Sequence, residues 1–202
     1  LPLLGVGGMQ LYRAESSGVT KNEKMTPRIA DTVRSLWLVY LALTVACALA
    51  FWVAGMSLFD AIGHAYAAVG TGGFSTHDAS FGYWDSPLID GIGIFFMLAG
   101  GINFAIHYLA LQRRSLWPFI RDAEVRAYGL IFLGGTLIVA ITLYLAGTYA
   151  EPGAALRHGA FQVASILTST GFTTAVFADW PLYLPLVLVT LSFIGGCAGS
   201  TA

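Results

Sequence analysis

Charge is what this sequence has least of. Only 10% of its 202 residues are Asp, Glu, Lys or Arg, against roughly 25% in an average soluble domain. Ten basic residues face eleven acidic ones, and no basic block stands out. That balance speaks against a nucleic-acid binder, which needs a cationic footprint. Cysteine is scarce too. Cys47 and Cys197 are too few for a disulfide framework and make no zinc pattern. Both read as small buried residues. Disorder is disfavoured as well, since it needs the opposite composition.

What is present is apolar. Hydrophobic residues make up 56% of the chain, and the mean hydropathy is +0.72. One globule of this size cannot hide so many apolar side chains and keep a wet surface. The class that remains is an integral membrane protein. Glycine is abundant as well: 24 residues, where an average near 7% would give far fewer. It clusters as GGM, GTGGF, GGIN, STGF and GGCAGS. The chain opens on an apolar stretch without an initiator Met and stops inside another. It is therefore expected to be a piece of a longer protein.

Residues 36–54 form an uncharged apolar run, close to the roughly 20 residues a bilayer-crossing helix needs. Further runs lie between Asp90 and Arg113, between Arg126 and Glu151, and from Asp179 to the end. The first dozen residues look like the tail of another. Two shorter apolar pieces, 58–69 and 156–167, cross only about half of a ~30 Å core. Each runs into a Gly/Thr/Ser motif. A half-length helix followed by irregular backbone fits a re-entrant hairpin, tolerated at membrane depth where protein or water surrounds it. A helix lying on the membrane surface is the alternative for either piece alone.

The chain repeats itself. TGGFST (71–76) aligns with STGFTT (169–174), placing Gly73 over Gly171 and Phe74 over Phe172. Span, short helix, Gly motif and a second span bearing Gly-Gly occur twice in that order. Such repeats place a shared site at their interface. The fold expected is an all-α integral membrane protein of tandem span–pore-hairpin–span units with re-entrant half-helices. The divisions expected are the end of a preceding helix (1–12), a loop (13–35), a pore unit (36–112), a loop (113–125) and a second, truncated pore unit (126–202).

Bases gather before the first span and between the units, which makes those loops cytoplasmic and brings the hairpins in from outside. Asp60, Asp78, Asp85, Asp90, Glu151 and Asp179 lie on the hairpin side with Arg157 as their only basic company. A negative outer mouth concentrates cations.

A cation crossing a membrane must exchange its water for oxygens of similar field. Glycine lets backbones converge, and Thr or Ser add hydroxyls. Residues 71–75 and 169–173 have that composition, with the negative ends of the half-helices pointing at them. Phe74 and Phe172 are expected to pack behind the tips. Asn103 and His107, one turn apart, are read chiefly as partners in structural hydrogen bonds. His64 is read as packed, and His77-Asp78 as holding the outer loop.

Each tip resembles the potassium-channel filter Thr-Val-Gly-Tyr-Gly in its central Gly. The strings LPLLGVGGMQLYRAE, GGFSTHDASFGYWDSP, TSTGFTT and FIGGCAGST resemble the TrkH/TrkG family of bacterial potassium-uptake transporters over essentially the whole chain. Members carry four such units, and this chain matches the second and most of the third. The resemblance implies filter residues Gly72, Gly73, Thr170 and Gly171, with Thr71 and Ser169 secondary. It implies a gate at Gly195, Gly196, Gly199, Ser200 and Thr201. It also implies K+ as the transported ion and no organic cofactor. The partners implied are a second copy of the chain and a cytoplasmic nucleotide-binding regulatory subunit of the TrkA type. The location implied is the bacterial inner membrane, with the hairpins entering from the periplasm. Two rivals remain at this stage: an intramembrane serine hydrolase using Ser75 or Ser200 with His107, and a non-conducting assembly subunit.

Overall fold

A computed structural model describes residues 29–181 and 183–202. The expected end of a preceding helix (1–12) and most of the first loop (13–35) lie outside the described residues. Every regular element among those described is helical.

Helix α1 (Ile29–Val53) contains the first long apolar run. A turn at Ala54-Gly55 leads to α2 (Leu58–Val69), whose N-terminus is capped by the Ser57 hydroxyl accepting from the Asp60 amide at 3.1 Å. Helix α2 lays Ala61, Ala65 and Ala68 against Cys47 and Phe51 of α1, among the buried residues of the main core. Alanine at that spacing lets the two backbones approach closely. After the first tip and a short 3-10 turn (Ser80–Tyr83) come α3 (Pro87–Gly100) and α4 (Phe104–Arg113). A short α5 (Trp117–Arg121) connects to the second unit. There α6 (Ala123–Leu145) packs on α7 (Pro152–Leu167). A Cβ on Gly159 of α7 would already stand 3.3 Å from Val139 of α6, so glycine sets the spacing of this pair. The second tip, a 3-10 turn (Phe177–Asp179) and α8 (Tyr183–Ser192) follow.

Two helices, Val33–Val53 and Ala123–Leu145, are long and apolar enough to cross a membrane. The run between Asp90 and Arg113 is broken: α3 and α4 meet at 98°. The cause is local. Helix α3 ends on Gly100-Gly101, and Asn103 starts a new helix, its Oδ1 accepting from the Ala105 amide at 2.8 Å. His107 spans the break by holding the Ala99 carbonyl with Nε2 at 2.9 Å. Asn103 and His107 are thus structural partners. The last run is shorter than a span, because α8 stops at Ser192 before the Gly-rich 195–199 stretch.

Candidate functional site

Each half-length helix ends in a tip of the same geometry, related by an offset of 98 residues. At the first, the amides of Gly72 and Gly73 turn back to the Ala67 carbonyl at 2.8 and 3.4 Å. At the second, the amides of Thr170 and Gly171 turn back to the Ser165 carbonyl at 2.8 and 3.3 Å. Thr71 and Ser169 both carry positive φ (49° and 55°), as do Gly73 and Gly171 (66° and 90°). Left-handed backbone at a Thr and a Ser costs about 1 kcal/mol each. Its recurrence at equivalent positions shows two tips built to one pattern.

Alternating the sign of φ swings successive carbonyls away from the helix. Among the described residues, no hydrogen bond ends on the carbonyls of residues 71–73 or 169–171. The two tips lie against each other. A Cβ on Gly73 would overlap the Thr170 carbonyl. Gly82 donates to the Thr173 carbonyl at 3.3 Å, and the Thr173 amide donates to Ser80 Oγ at 3.3 Å. Six carbonyls without an internal hydrogen bond, on two touching strands, leave backbone oxygens available of the kind that can replace a cation's water. The C-terminal dipole ends of α2 and α7 add to it.

Beyond the glycine, each strand is tied to its own helix by two hydroxyls. In the first unit Thr76 bonds Asp60 at 2.5 Å, and Ser75 bonds His64 Nε2 at 2.9 Å. In the second, Thr174 bonds His158 Nδ1 at 2.9 Å, and Gln162 donates to Thr173 at 2.9 Å. Every pair obeys the same offset. Extending the alignment of Gly73 with Gly171 by a few residues would have exposed these ties in the sequence.

The two phenylalanines differ. Phe172 is 1% exposed, stacked on His64 and edge-on to Phe81, while its carbonyl accepts from Ser165 Oγ at 2.6 Å. Phe74 is 83% exposed and does not pack behind its tip. Position 67, equivalent to Ser165, is an alanine with no hydroxyl to hold the strand. His64 is fully buried among Phe81, Trp84 and Phe172. His77 stacks on Tyr83 at 3.7 Å and lies 3.5 Å from Asp60.

The acidic rim is partly consumed by structure. Arg157 of α7 reaches across to the first unit, bonding Asp90 at 2.6 Å and Asp85 at 2.9 Å. Asp60 takes hydrogen bonds from Thr76 and Ser57, with His77 nearby, and these hold its carboxyl below the usual range. Asp78, Glu151 and Asp179 stay exposed and form no ion pair among the described residues. The sequence singled out Arg157 by its isolation but not its two partners, which come from the other repeat.

The Gly-rich segment 195–201 runs beneath the first tip. The amide of Cys197 donates to Gly101 at 2.8 Å, that of Thr201 to Gly100 at 3.2 Å, and that of Phe104 to Gly199 at 3.2 Å. The Thr201 hydroxyl, with one proton, faces the carbonyls of Val69 (2.7 Å) and Gly100 (2.9 Å). The Thr71 hydroxyl faces the Thr201 carbonyl at 2.6 Å. This segment thus sits against the break between α3 and α4. Among the described residues no group of His, Cys, Asp and Glu could hold a metal ion by itself.

A family model described as TrkH, cation transport protein, matches residues 1–202. The chain is 53% identical to the Trk system potassium uptake protein TrkH of Escherichia coli K12, over all of the chain and 42% of that protein. It is 42% identical to the Trk system potassium uptake protein TrkG of the same strain, over all of the chain and 41% of that protein. The crystal structure of the potassium transporter TrkH from Vibrio parahaemolyticus superposes with a TM-score of 0.86 at 44% identity. That match covers 98% of the chain and 42% of the other. The chain thus spans about two-fifths of the length of these relatives.

Proposed function

The chain belongs to the TrkH family of cation transport proteins, which are transporters and not enzymes, and we propose that it contributes two strands of a potassium filter. In the full-length protein, potassium sheds water at the outer mouth. It then passes the carbonyls of Gly72, Gly73, Thr170 and Gly171, with Thr71 and Ser169 secondary. Below them, Gly195, Gly196, Gly199, Ser200 and Thr201 form a gate. The observation that carries the reading is the contact of two equivalent tips whose carbonyls are free of internal hydrogen bonds. Relatives named as potassium uptake proteins support potassium as the ion.

In this reading residues 36–112 and 126–202 are pore units. Loops 13–35 and 113–125 face the cytoplasm, residues 1–12 end the preceding unit, and the hairpins enter from the periplasmic side of the inner membrane. The partners are a second copy of the chain and a cytoplasmic nucleotide-binding subunit of the TrkA type. The hydrolase reading finds no support. His107 is committed to the Ala99 carbonyl, and the one Ser–His pair among the described residues, Ser75 with His64, is enclosed by aromatic rings.

The test is K+ against Na+ flux into liposomes carrying the full-length protein, with Gly73→Ala and Gly171→Ala. Loss of flux or selectivity in Gly73→Ala is expected. Unchanged flux and selectivity in both variants overturns the filter assignment.

A further inference from the structure

We propose that His64 and Gln162 are equivalent positioning residues, each bracing the strand beyond its filter glycine and so setting ion selectivity. The inference rests on the filter reading above and adds the residues that hold its shape.

The two side chains occupy the same place in the repeat, 98 positions apart, each five residues before the last residue of its helix, α2 or α7. Both are completely buried. Each reaches the hydroxyl two residues beyond the filter glycine, at 2.9 Å: Ser75 for His64 and Thr173 for Gln162. Neither partner is the same residue in the two units, yet the bond recurs. A polar side chain buried without a partner is costly, so its presence here calls for a role that packing alone does not supply.

The bonding details give each brace one direction. His64 Nδ1 faces the Asp60 carbonyl at 2.8 Å, and a carbonyl only accepts. Nδ1 therefore carries the proton and Nε2 accepts from the Ser75 hydroxyl. Ser75 Oγ then accepts the His77 amide at 3.1 Å. In the second unit the Gln162 amide donates to Thr173 Oγ1, and that hydroxyl donates to the Ala175 carbonyl at 2.6 Å. Both arrangements anchor a strand hydroxyl to a rigid helix. His64 does more, because its ring also stacks on Phe172 of the other tip, at 5.6 Å and 20°. It touches both strands of the pair, so displacing it moves carbonyls on both.

Selectivity is the readout, since a residue needed only for folding would change the amount of protein and not the ratio of ions passed. The full-length transporter is reconstituted in liposomes, and K+, Rb+ and Na+ fluxes are compared at matched protein. Gln is the residue the second unit uses and Thr is its hydroxyl, so His64→Gln and Ser75→Thr are expected to keep the wild-type K+/Na+ ratio. Ser75→Ala and His64→Leu are expected to lower it by roughly fivefold each, the effect of one hydrogen bond, and Gln162→Leu to do likewise. The effects of Ser75→Ala and His64→Leu should not add, because both remove one bond. Should His64→Leu fail to assemble, Ser75→Ala decides, since it deletes a single oxygen. An unchanged ratio in Ser75→Ala overturns the brace. If Gly73→Ala or Gly171→Ala is altered while Ser75→Ala is not, only the brace fails; if all three are unaltered, the filter reading fails with it.

Discussion

The carbonyl of Thr170 occupies the space where Gly73 would carry a Cβ. The two repeats meet at that point, and it makes the two tip glycines unequal. Both have positive φ, but the space around Gly171 is open to 4 Å.

Gly73→Ala is therefore expected to be much the more severe substitution. It must displace a backbone carbonyl, whereas Gly171→Ala meets only the left-handed strain of about 1–2 kcal/mol. Rubidium uptake by proteoliposomes should be abolished by the first and reduced by the second. Equal effects would show that the tips do not touch during transport.

Thr71→Val and Thr201→Val remove the hydroxyls that tie segment 195–201 to the first tip. Each keeps shape and β-branching. If that segment obstructs the pathway, each variant should raise potassium flux, by roughly fivefold for a bond of about 1 kcal/mol. Flux at the wild-type level in both variants would remove the segment's gating role.

Arg157→Leu should destabilise the protein by about 3 kcal/mol, because it leaves the buried Asp90 carboxylate without its partner. Arg157→Leu with Asp90→Leu should recover much of that loss. Thermal unfolding in detergent, run as a double-mutant cycle, measures the coupling. Additive losses would show that the pair does not join the two units.

Hydrogen bonds from Thr76 and Ser57 hold the Asp60 carboxyl below the ordinary range. A depressed folded value means stabilisation is present above the unfolded value and lost as pH falls through the folded one. The loop 75–84 should therefore loosen below about pH 4, seen as faster amide exchange. Asp60→Asn should abolish that pH dependence; if it persists, another group is responsible.

Much of the fold can be read from the sequence. The short apolar piece at 58–69 is helix α2 itself, since an apolar stretch bounded by Ser57 and Gly70 has clear start and stop signals. The second short piece is extended at its start, because Pro152 opens α7 four residues before the apolar run. The 98° break at 101–103 escapes a hydropathy reading, which sees one uncharged segment. Only the cap formed by Asn103 reveals a second helix. Phe74 escapes for another reason: it matches Phe172 in sequence, but burial depends on neighbours outside the repeat. The hydroxyl ties were legible in principle, and the Arg157 pairs were not, because nothing in a single repeat encodes contacts with the other.

Three hydrogen bonds that join segment 197–201 to Gly100, Gly101 and Phe104 are made by main-chain atoms alone. Side-chain replacement cannot remove them. The kink of one unit and the glycine-rich stretch of the other are therefore a single joint. A swing of α4 about its hinge must break the Phe104–Gly199 contact or pull on a segment that two further amides hold to the end of α3. A load on the far end of α4 would thus reach the stretch that the Thr71 hydroxyl of the first tip also touches, with no separate linkage to transmit it.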